Sequence, residues 1–129
     1  MIKVEFWMSE ILFKNECLLF FNKYNKQIYD VIYYNNFLFV HAAKRAHLPN
    51  NNYKFEDNIF KFNSDGDLLY RTGMLKIEYP IDSGIFENWE ASDMSIVDNQ
   101  LYLGYSKGYE AWFDIETGKL IKAQPEGRK

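Results

Sequence analysis

Apolar and polar residues alternate with a period of two over most of this 129-residue chain, which predicts β-strands that each bury one face. The alternation starts at the first residues, so residues 1–30 are predicted to form N-terminal strands. Residues 9–22 leave two interpretations open, because Ser9 could cap a helix there. Phe20 and Phe21 are better strand formers, so the pattern favours a strand.

Paired Asn residues and an Asp-Gly dipeptide mark hairpin turns in the first half of the chain. Asn35 and Asn36 separate two apolar runs, and Asn tolerates the positive φ that a two-residue hairpin turn requires. Residues 63–67 contain Asp-Gly between two further apolar runs. Residues 31–76 are therefore predicted to form a four-stranded meander with a longer loop in its middle.

The second half of the chain repeats this order of strands and turns. Residues 98–100 and 116–119 are the turns of a second predicted meander over 96–122. Gly66 and Gly118 take equivalent turn positions in the two meanders, where a side chain at positive φ would be strained.

Two stretches outside the meanders are predicted to lack regular strands. Residues 77–95 are predicted to be an acidic linker that Pro80 and Gly84 keep irregular. Residues 123–129 are predicted to be a flexible tail.

Two four-stranded meanders with matching turns resemble the blades of a β-propeller. A closed propeller has at least four blades, so two meanders must instead stack or form one curved sheet. The predicted fold class is therefore all-β, with one short helix as an option, and consists of antiparallel, propeller-blade-like meanders. Residues 1–129 are predicted to be a single domain, since one core usually serves about 100–150 residues.

Composition and charge argue against several classes of protein. With 47% hydrophobic residues the chain can form a core, which excludes global disorder. A net charge of −3 argues against nucleic-acid binding, since such proteins usually carry a basic excess. There is one cysteine, the first ten residues lack the unbroken apolar core of a signal peptide, and no apolar run approaches the ~20 residues of a membrane helix. These features predict a cytoplasmic protein without membrane or nucleic-acid partners.

No arrangement of catalytic or metal-binding residues stands out, so no enzyme activity, cofactor, catalytic residue or metal site is predicted. Cys17 with His41 or His47 has the residue types of a nucleophile and base, but their spacing does not support such a pair. The apolar run at Cys17 predicts a buried, inert thiol. Two histidines do not supply the three or four ligands of a metal site. Residues 63–67 lack the glycine and acid spacing of a calcium-binding loop.

Acidic residues are concentrated in one segment. Residues 77–106 hold six acidic and no basic side chains, whereas residues 1–76 and 107–129 carry net charges of +2 and +1. A solvated loop explains the charge, but the interleaved aromatic residues are unfavourable in water unless they pack or bind. Acidic residues around aromatic anchors suit a basic protein partner. The predicted partner-binding residues are Asp82, Phe86, Glu87, Trp89, Glu90, Asp93, Tyr105 and Tyr109.

Residues 58–70 and 98–120 share a turn pattern, in which an aromatic strand end is followed by Asp and Gly before the next apolar strand. In this pattern the chain resembles small propeller-like immunity proteins of bacterial polymorphic-toxin systems, including contact-dependent growth inhibition systems. The resemblance covers residues 31–122. It implies a cytoplasmic protein that binds and blocks a cognate toxin domain, often a nuclease. It implies no particular binding residues, because immunity proteins diverge with their toxins.

The sequence therefore predicts a non-enzymatic immunity protein whose acidic segment covers the basic active site of a toxin domain. A nuclease attracts phosphate with a positive cleft, which an acidic inhibitor would match. Two alternatives stay open. One is a β-module that binds a small ligand or associates with itself, and the other is a small hydrolase that uses scattered acidic residues.

Overall fold

Strands dominate the described part of the chain. The computed structural model describes residues 3–5, 10–14, 16–43 and 55–127. Within these residues it contains thirteen β-strands and one α-helix. The chain divides into two compact units: the first is Met1–Tyr53 with Ile59–Arg71, and the second is Lys54–Asn58 with Thr72–Lys129.

The first unit begins with a three-stranded antiparallel sheet and a short helix. The elements are β1 Lys3–Glu5, β2 Glu10–Leu12, β3 Cys17–Leu19 and α1 Phe20–Tyr24. Asn25 ends the helix in the left-handed conformation, with φ of 58°. The preferred strand over residues 9–22 is right for β2 and β3 but wrong for Phe20 and Phe21. Phe20 is fully buried against Phe60, with ring centroids 4.9 Å apart, so packing outweighs its strand propensity.

The first predicted meander is present as a four-stranded sheet in sequence order. Its strands are β4 Gln27–Tyr34, β5 Phe37–Ala43, β6 Ile59–Phe62 and β7 Leu68–Thr72. Asn35 and Asn36 have φ of 50° and 67° and form the predicted turn between β4 and β5. In the turn before β7, Asn63 Oδ1 accepts a hydrogen bond from the Asp67 N–H at 2.9 Å, and Gly66 has φ of 96°. Both predicted turns are confirmed.

The two central strands of this sheet are buried on both faces. All four residues of β6 and residues 38–42 of β5 are buried. One face belongs to the core of the first unit, which contains Ile11, Phe13, Phe20, Ile28, Leu38, Val40, Ala42, Phe60 and Phe62. On the other face of β6 the Lys61 side chain is also buried, with its amine 4.2 Å from the Phe37 ring centroid. Such strands have continuous apolar runs because neither face meets water.

The second unit contains a two-stranded antiparallel sheet where the sequence predicts an irregular linker. Its strands are β8 Leu75–Glu78 and β9 Phe86–Trp89. Pro80 and Gly84 lie in the connection of residues 79–85, so they interrupt the segment locally. The prediction of irregular structure over 77–95 is therefore corrected. An alternation of apolar and polar residues already marks β8, but it crosses the boundary chosen for the linker.

The second predicted meander is also present, as an antiparallel sheet in sequence order. Its strands are β10 Asp93–Val97, β11 Gln100–Tyr105, β12 Tyr109–Asp114 and β13 Leu120–Pro125. Asp98 and Asn99 form a turn with φ of 51° and 60°, and Gly118 has φ of 76° before β13. The predicted all-β class with blade-like antiparallel meanders is confirmed, together with the optional short helix.

The last strand of this sheet extends further than predicted. Pro125 lies opposite Tyr109, and the Glu126 N–H donates to the Gly108 carbonyl at 2.6 Å. The ladder to β12 therefore includes the first residues of the predicted flexible tail over 123–129, and that prediction is corrected for them. Residues 128 and 129 lie outside the described residues.

Candidate functional site

The β8–β9 hairpin has two chemically different faces. Side chains directly opposite each other in an antiparallel pair lie on the same face. The buried Leu75 and Ile77 lie opposite Trp89 and Glu87, and these four residues share a side that we call the inner face. The outer face carries Lys76, Glu78, Phe86 and Asn88. Phe86 and Trp89, which the sequence predicts as joint anchors, therefore lie on opposite faces.

The connection between the two strands exposes several apolar side chains. Glu78 Oε2 accepts a hydrogen bond from the Gly84 N–H at 2.9 Å, and the Tyr79 N–H donates to the Ile85 carbonyl at 3.0 Å. Asp82 is exposed and has φ of 64°, which Asp tolerates. The exposed apolar side chains are Tyr79, Ile81, Ile85 and Phe86, with 45% to 60% of their surface accessible. We call residues 79–86 the hairpin tip.

The hairpin carries only part of the acidic charge of its sequence segment. Residues 75–89 contain the carboxylates of Glu78, Asp82 and Glu87 and the amine of Lys76. The other three acidic residues lie on later elements: Glu90 follows β9, Asp93 begins β10 and Asp98 lies in the next turn. The six carboxylates are therefore divided among several elements of the second unit.

Trp89 is the centre of an aromatic cluster on the inner face. The Phe55 ring stacks on the indole, with centroids 5.2 Å apart and an interplanar angle of 30°. The Trp89 Nε1–H donates to Glu87 Oε1 at 3.1 Å. The Lys107 amine lies 4.8 Å from the Trp89 ring centroid and 4.4 Å from the Tyr79 ring centroid. A carboxylate and a cation thus both contact this half-buried indole.

Hydrogen bonds hold the segment before β6 in place beside the hairpin. Asn58 Nδ2 donates to the Ala91 carbonyl at 2.8 Å, and Asn58 Oδ1 accepts from the Ala91 N–H at 3.1 Å. Glu90 Oε2 accepts from the Glu56 N–H at 3.1 Å. Asn58 is buried, and its side-chain amide bonds both the N–H and the carbonyl of Ala91, as the backbone of a paired strand residue would. These bonds position Phe55 against the indole.

Phe55, Glu87, Asn88 and Trp89 line a depression of about 430 Å³, which we call the Trp89 pocket. Its volume lies in the range of small ligand sites, roughly 300–1,000 Å³. Glu87 and Trp89 are among the predicted partner-binding residues, and the structure brings them together. Phe55 and Asn88 are not among the predicted residues, because Phe55 comes from a distant loop and Asn88 has no distinctive pattern.

Tyr105 does not lie on the surface that the sequence predicts for it. Its side chain is 4% exposed, and its hydroxyl donates to the Gly73 carbonyl at 2.6 Å. Burial raises the pKa of Tyr105, and the Asp57 carboxylate raises it further. A partner-binding role for Tyr105 does not fit this buried position, which follows from its place among the alternating inward residues of β11. Tyr109 is half-buried, and its role stays a prediction.

The remaining predicted site residues differ in their exposure and in the contacts that they make. Glu90 is half-buried and its carboxylate is used in the bond to the Glu56 backbone. Asp93 is exposed and lies opposite Gly104, where an added Cβ would be 3.3 Å from the Asp93 Cβ. Of the eight residues, Asp82, Phe86, Glu87 and Trp89 belong to the hairpin.

A second polar cluster lies on the less buried face of the second meander. The Tyr102 hydroxyl donates to Glu110 Oε1 at 2.5 Å, and Gln124 Nε2 donates to Glu110 Oε2 at 2.8 Å. The hydrogen bond to Glu110 raises the pKa of Tyr102 to about 12, with smaller contributions from desolvation and from nearby carboxylates. Tyr102 lies opposite Trp112 in the sheet, and the Trp112 ring centroid is 4.7 Å from the Lys122 amine. These contacts join β11, β12 and β13, so the cluster is a cross-strand network.

The candidate nucleophile is in a different environment from the predicted one. Cys17 is exposed, not buried in a core as its apolar neighbours suggest. Desolvation raises the pKa of Cys17, and the neighbouring Glu10 carboxylate raises it further. A raised pKa leaves less thiolate at neutral pH and so weakens the thiol as a nucleophile. His41 is buried in β5, and His47 lies outside the described residues.

The described ranges contain neither a metal-binding cluster nor a membrane-spanning helix. Among residues 3–5, 10–14, 16–43 and 55–127, no group of three or more His, Cys, Asp or Glu side chains is placed to hold a metal ion. No helix in this part of the chain has the length and apolar character needed to cross a bilayer, since α1 has five residues.

Comparison of the chain with protein-family models, with curated proteins and with solved structures gives no match. The resemblance to immunity proteins therefore stays a prediction from the turn pattern. The features that bear most directly on function are the exposed hairpin tip and the Trp89 pocket.

Proposed function

We propose that this chain is an immunity protein that neutralises a toxin domain by inserting its β8–β9 hairpin into a basic cleft. The observation that carries the proposal is the hairpin tip, where Tyr79, Ile81, Ile85 and Phe86 expose apolar surface beside Asp82. Apolar side chains clustered on an exposed tip are typical of protein interaction sites. The proposal concerns a protein partner and involves no bond-breaking step.

The apolar and acidic residues of the tip would have separate tasks in binding. Burying apolar surface contributes roughly 25 cal/mol per Å², so four large side chains provide most of the affinity. The carboxylates of Glu78, Asp82 and Glu87 would speed the encounter with a positively charged cleft and select against acidic proteins. A nuclease is a suitable target, since it must attract phosphate with basic residues.

The arrangement of the hairpin favours insertion over flat docking. Phe86 and Trp89 lie on opposite faces, so a flat partner surface could contact only one of them. A cleft that encloses the hairpin would contact the outer face through Phe86 and the inner face through Glu87 and the rim of the Trp89 pocket. The tip would then occupy the space that the toxin's substrate needs.

The proposal predicts a toxin gene next to the gene for this chain, and the absence of such a gene would count against it. The test uses the toxin domain that this gene encodes, with affinity measured by calorimetry and toxin activity measured in the same samples. Glu87→Lys with Asp82→Asn changes the charge of the hairpin by three units. Glu116→Lys with Glu126→Gln makes the same change at exposed positions outside it. We expect the hairpin variant to bind about tenfold more weakly at low salt, with a smaller difference at high salt.

A further variant separates apolar contact from charge. Phe86→Ser is expected to weaken binding at all salt concentrations while the isolated chain stays folded, because the ring is exposed. The proposal is overturned if the chain leaves toxin activity intact, or if both charge variants bind as tightly as the unchanged chain.

A further inference from the structure

We infer that the Trp89 pocket receives an arginine side chain of the partner. This inference rests on the proposed function for the partner and deepens it, because it names the group that the inner face of the hairpin recognises. The pocket combines aromatic walls from Phe55 and Trp89 with the carboxylate of Glu87. Stacking and carboxylate pairing together are the two interactions that a guanidinium makes best.

The Trp89 indole already binds a cation within the chain. The Lys107 amine lies 4.8 Å from the Trp89 ring centroid and 4.4 Å from that of Tyr79, within the ~6 Å range of cation–π attraction. The negative faces of these rings therefore attract positive charge in this setting. A guanidinium is planar and more weakly hydrated than an ammonium, so it stacks on an indole at a smaller desolvation penalty than a lysine.

The carboxylate of Glu87 is positioned at the same rim. Its Oε1 accepts the hydrogen bond from Trp89 Nε1–H at 3.1 Å, which fixes the carboxylate beside the ring. The residue is exposed, so its second oxygen, Oε2, is within reach of a group that arrives from outside. An arginine that lies against the exposed Phe55 ring could donate to this carboxylate with a full positive charge, and a neutral side chain of the same shape could not.

The pocket is formed before any partner arrives. The depression of about 430 Å³ is open to the surface and is present in the chain by itself. Phe55 is held by the bonds of Asn58 to Ala91 and of Glu90 to the Glu56 backbone. Binding to a preformed pocket avoids the entropy loss of ordering its walls.

Lys107 would oppose the incoming arginine. Its amine lies over the Trp89 ring, although Lys107 does not line the pocket, and it repels a second positive charge nearby. Lys107→Met keeps a long unbranched side chain but removes the charge, and it should strengthen arginine binding. Glu87→Gln is expected to weaken arginine binding, so the two substitutions should change the affinity in opposite directions.

The experiment is an NMR titration of the full chain with Nα-acetyl-arginine amide, which has no charge apart from its guanidinium. The matched probe is Nα-acetyl-citrulline amide, whose urea has the same shape without the charge. The indole N–H signal of Trp89 is identified by its loss in Trp89→Phe. We expect this signal to shift with the arginine probe, to saturate in the millimolar range, and to respond far less to the citrulline probe.

Variants then assign the binding to the pocket. Glu87→Gln should weaken arginine binding about fivefold, and Lys107→Met should strengthen it by about twofold or more. Glu116→Gln, which removes one exposed carboxylate elsewhere in the second unit, should leave it unchanged. Equal shifts from both probes, or equal affinity in Glu87→Gln and Glu116→Gln, would overturn the inference.

This titration fails independently of the toxin experiment. Toxin binding without any response of Trp89 to arginine would leave the immunity proposal standing and remove the arginine pocket. A specific response to arginine, together with no effect on the toxin domain, would support the pocket and remove the immunity proposal.

Discussion

The two meanders share a strand order but are buried in different ways. In the first meander, β5 and β6 are buried on both faces. In the second, β11 and β12 alternate between buried and half-buried residues. Topology alone therefore does not decide how a sheet is stabilised, because the side chains that cover its faces come from elsewhere in the chain.

This difference changes the chemistry available to each sheet. The first meander fills its interior with aromatic rings and places even Lys61 among them. The second keeps one face accessible, and that face carries the network of Tyr102, Glu110 and Gln124. Both units bury apolar side chains, but the phenylalanine rings that are exposed by less than 2% all lie in the first unit, and the second adds a network of side-chain hydrogen bonds.

The largest effect should come from removing an aromatic core residue of the first meander. Phe60→Ala deletes a fully buried ring that contacts Phe20 and Tyr24, with centroids 4.9 and 4.7 Å away. It should lower the free energy of unfolding by about 3–5 kcal/mol, because a cavity replaces the ring. Urea denaturation measures this loss. Leu69→Ala, at a half-exposed position of β7, is the control and should lose less than about 1 kcal/mol; similar losses in both would contradict the comparison.

A buried polar residue should have the next largest effect, in the second unit. Asn58→Ala removes both side-chain hydrogen bonds to the Ala91 backbone and should lower the free energy of unfolding by about 2–3 kcal/mol. Hydrogen exchange of the Ala91 amide is the local measurement, and it should accelerate strongly. Unchanged protection of that amide would show that the two bonds do not hold the segment.

Removing one buried hydroxyl should have a smaller effect. Tyr105→Phe keeps the ring in the core but removes the bond to the Gly73 carbonyl, at a loss of about 1–2 kcal/mol. The losses of unfolding free energy in Tyr105→Phe and Phe60→Ala, both measured by urea denaturation, compare a polar with an apolar contribution. A loss as large as that of Phe60→Ala would mean that the second unit depends on single hydrogen bonds as strongly as the first depends on its core rings.

A further effect should appear only at alkaline pH. The pKa of Tyr102 is about 12 in the folded chain, against ~10 for an ordinary tyrosine, so the folded state holds a proton that the unfolded state releases. The resulting stabilisation is fully present below about pH 10 and is lost as the pH rises towards 12. Denaturation midpoints between about pH 8 and 11.5 should fall less steeply in Tyr102→Phe. An identical slope in both proteins would contradict the role of the Glu110 hydrogen bond.

The turns could be predicted from the sequence because their causes are local. Asn35, Asn36, Asp98 and Asn99 all have positive φ, a conformation these residue types tolerate. The sequence leaves a helix open over residues 9–22 but favours a strand at Phe20 and Phe21, and only the core contact of Phe20 with Phe60 explains the helix there. Asn25, which ends that helix at positive φ, is the one local signal that could have indicated it.

The candidate site was only partly predictable. Charge and aromatic content identified Glu87 and Trp89, but the wall supplied by Phe55 depends on a pairing between distant segments. The orientation of Phe86 relative to Trp89 was predictable in principle, since residues three apart in a strand lie on opposite faces. It was missed because this segment was interpreted as a linker and not as a strand.

Pro125 has a consequence for assembly. The Glu126 N–H bonds inward to Gly108, so the neighbouring backbone groups of Pro125 are directed away from β12. Proline has no N–H, and a strand from another molecule that added alongside β13 would meet a missing donor there. Together with the charge of Lys122, this gap discourages the edge-to-edge growth by which exposed strands start aggregates.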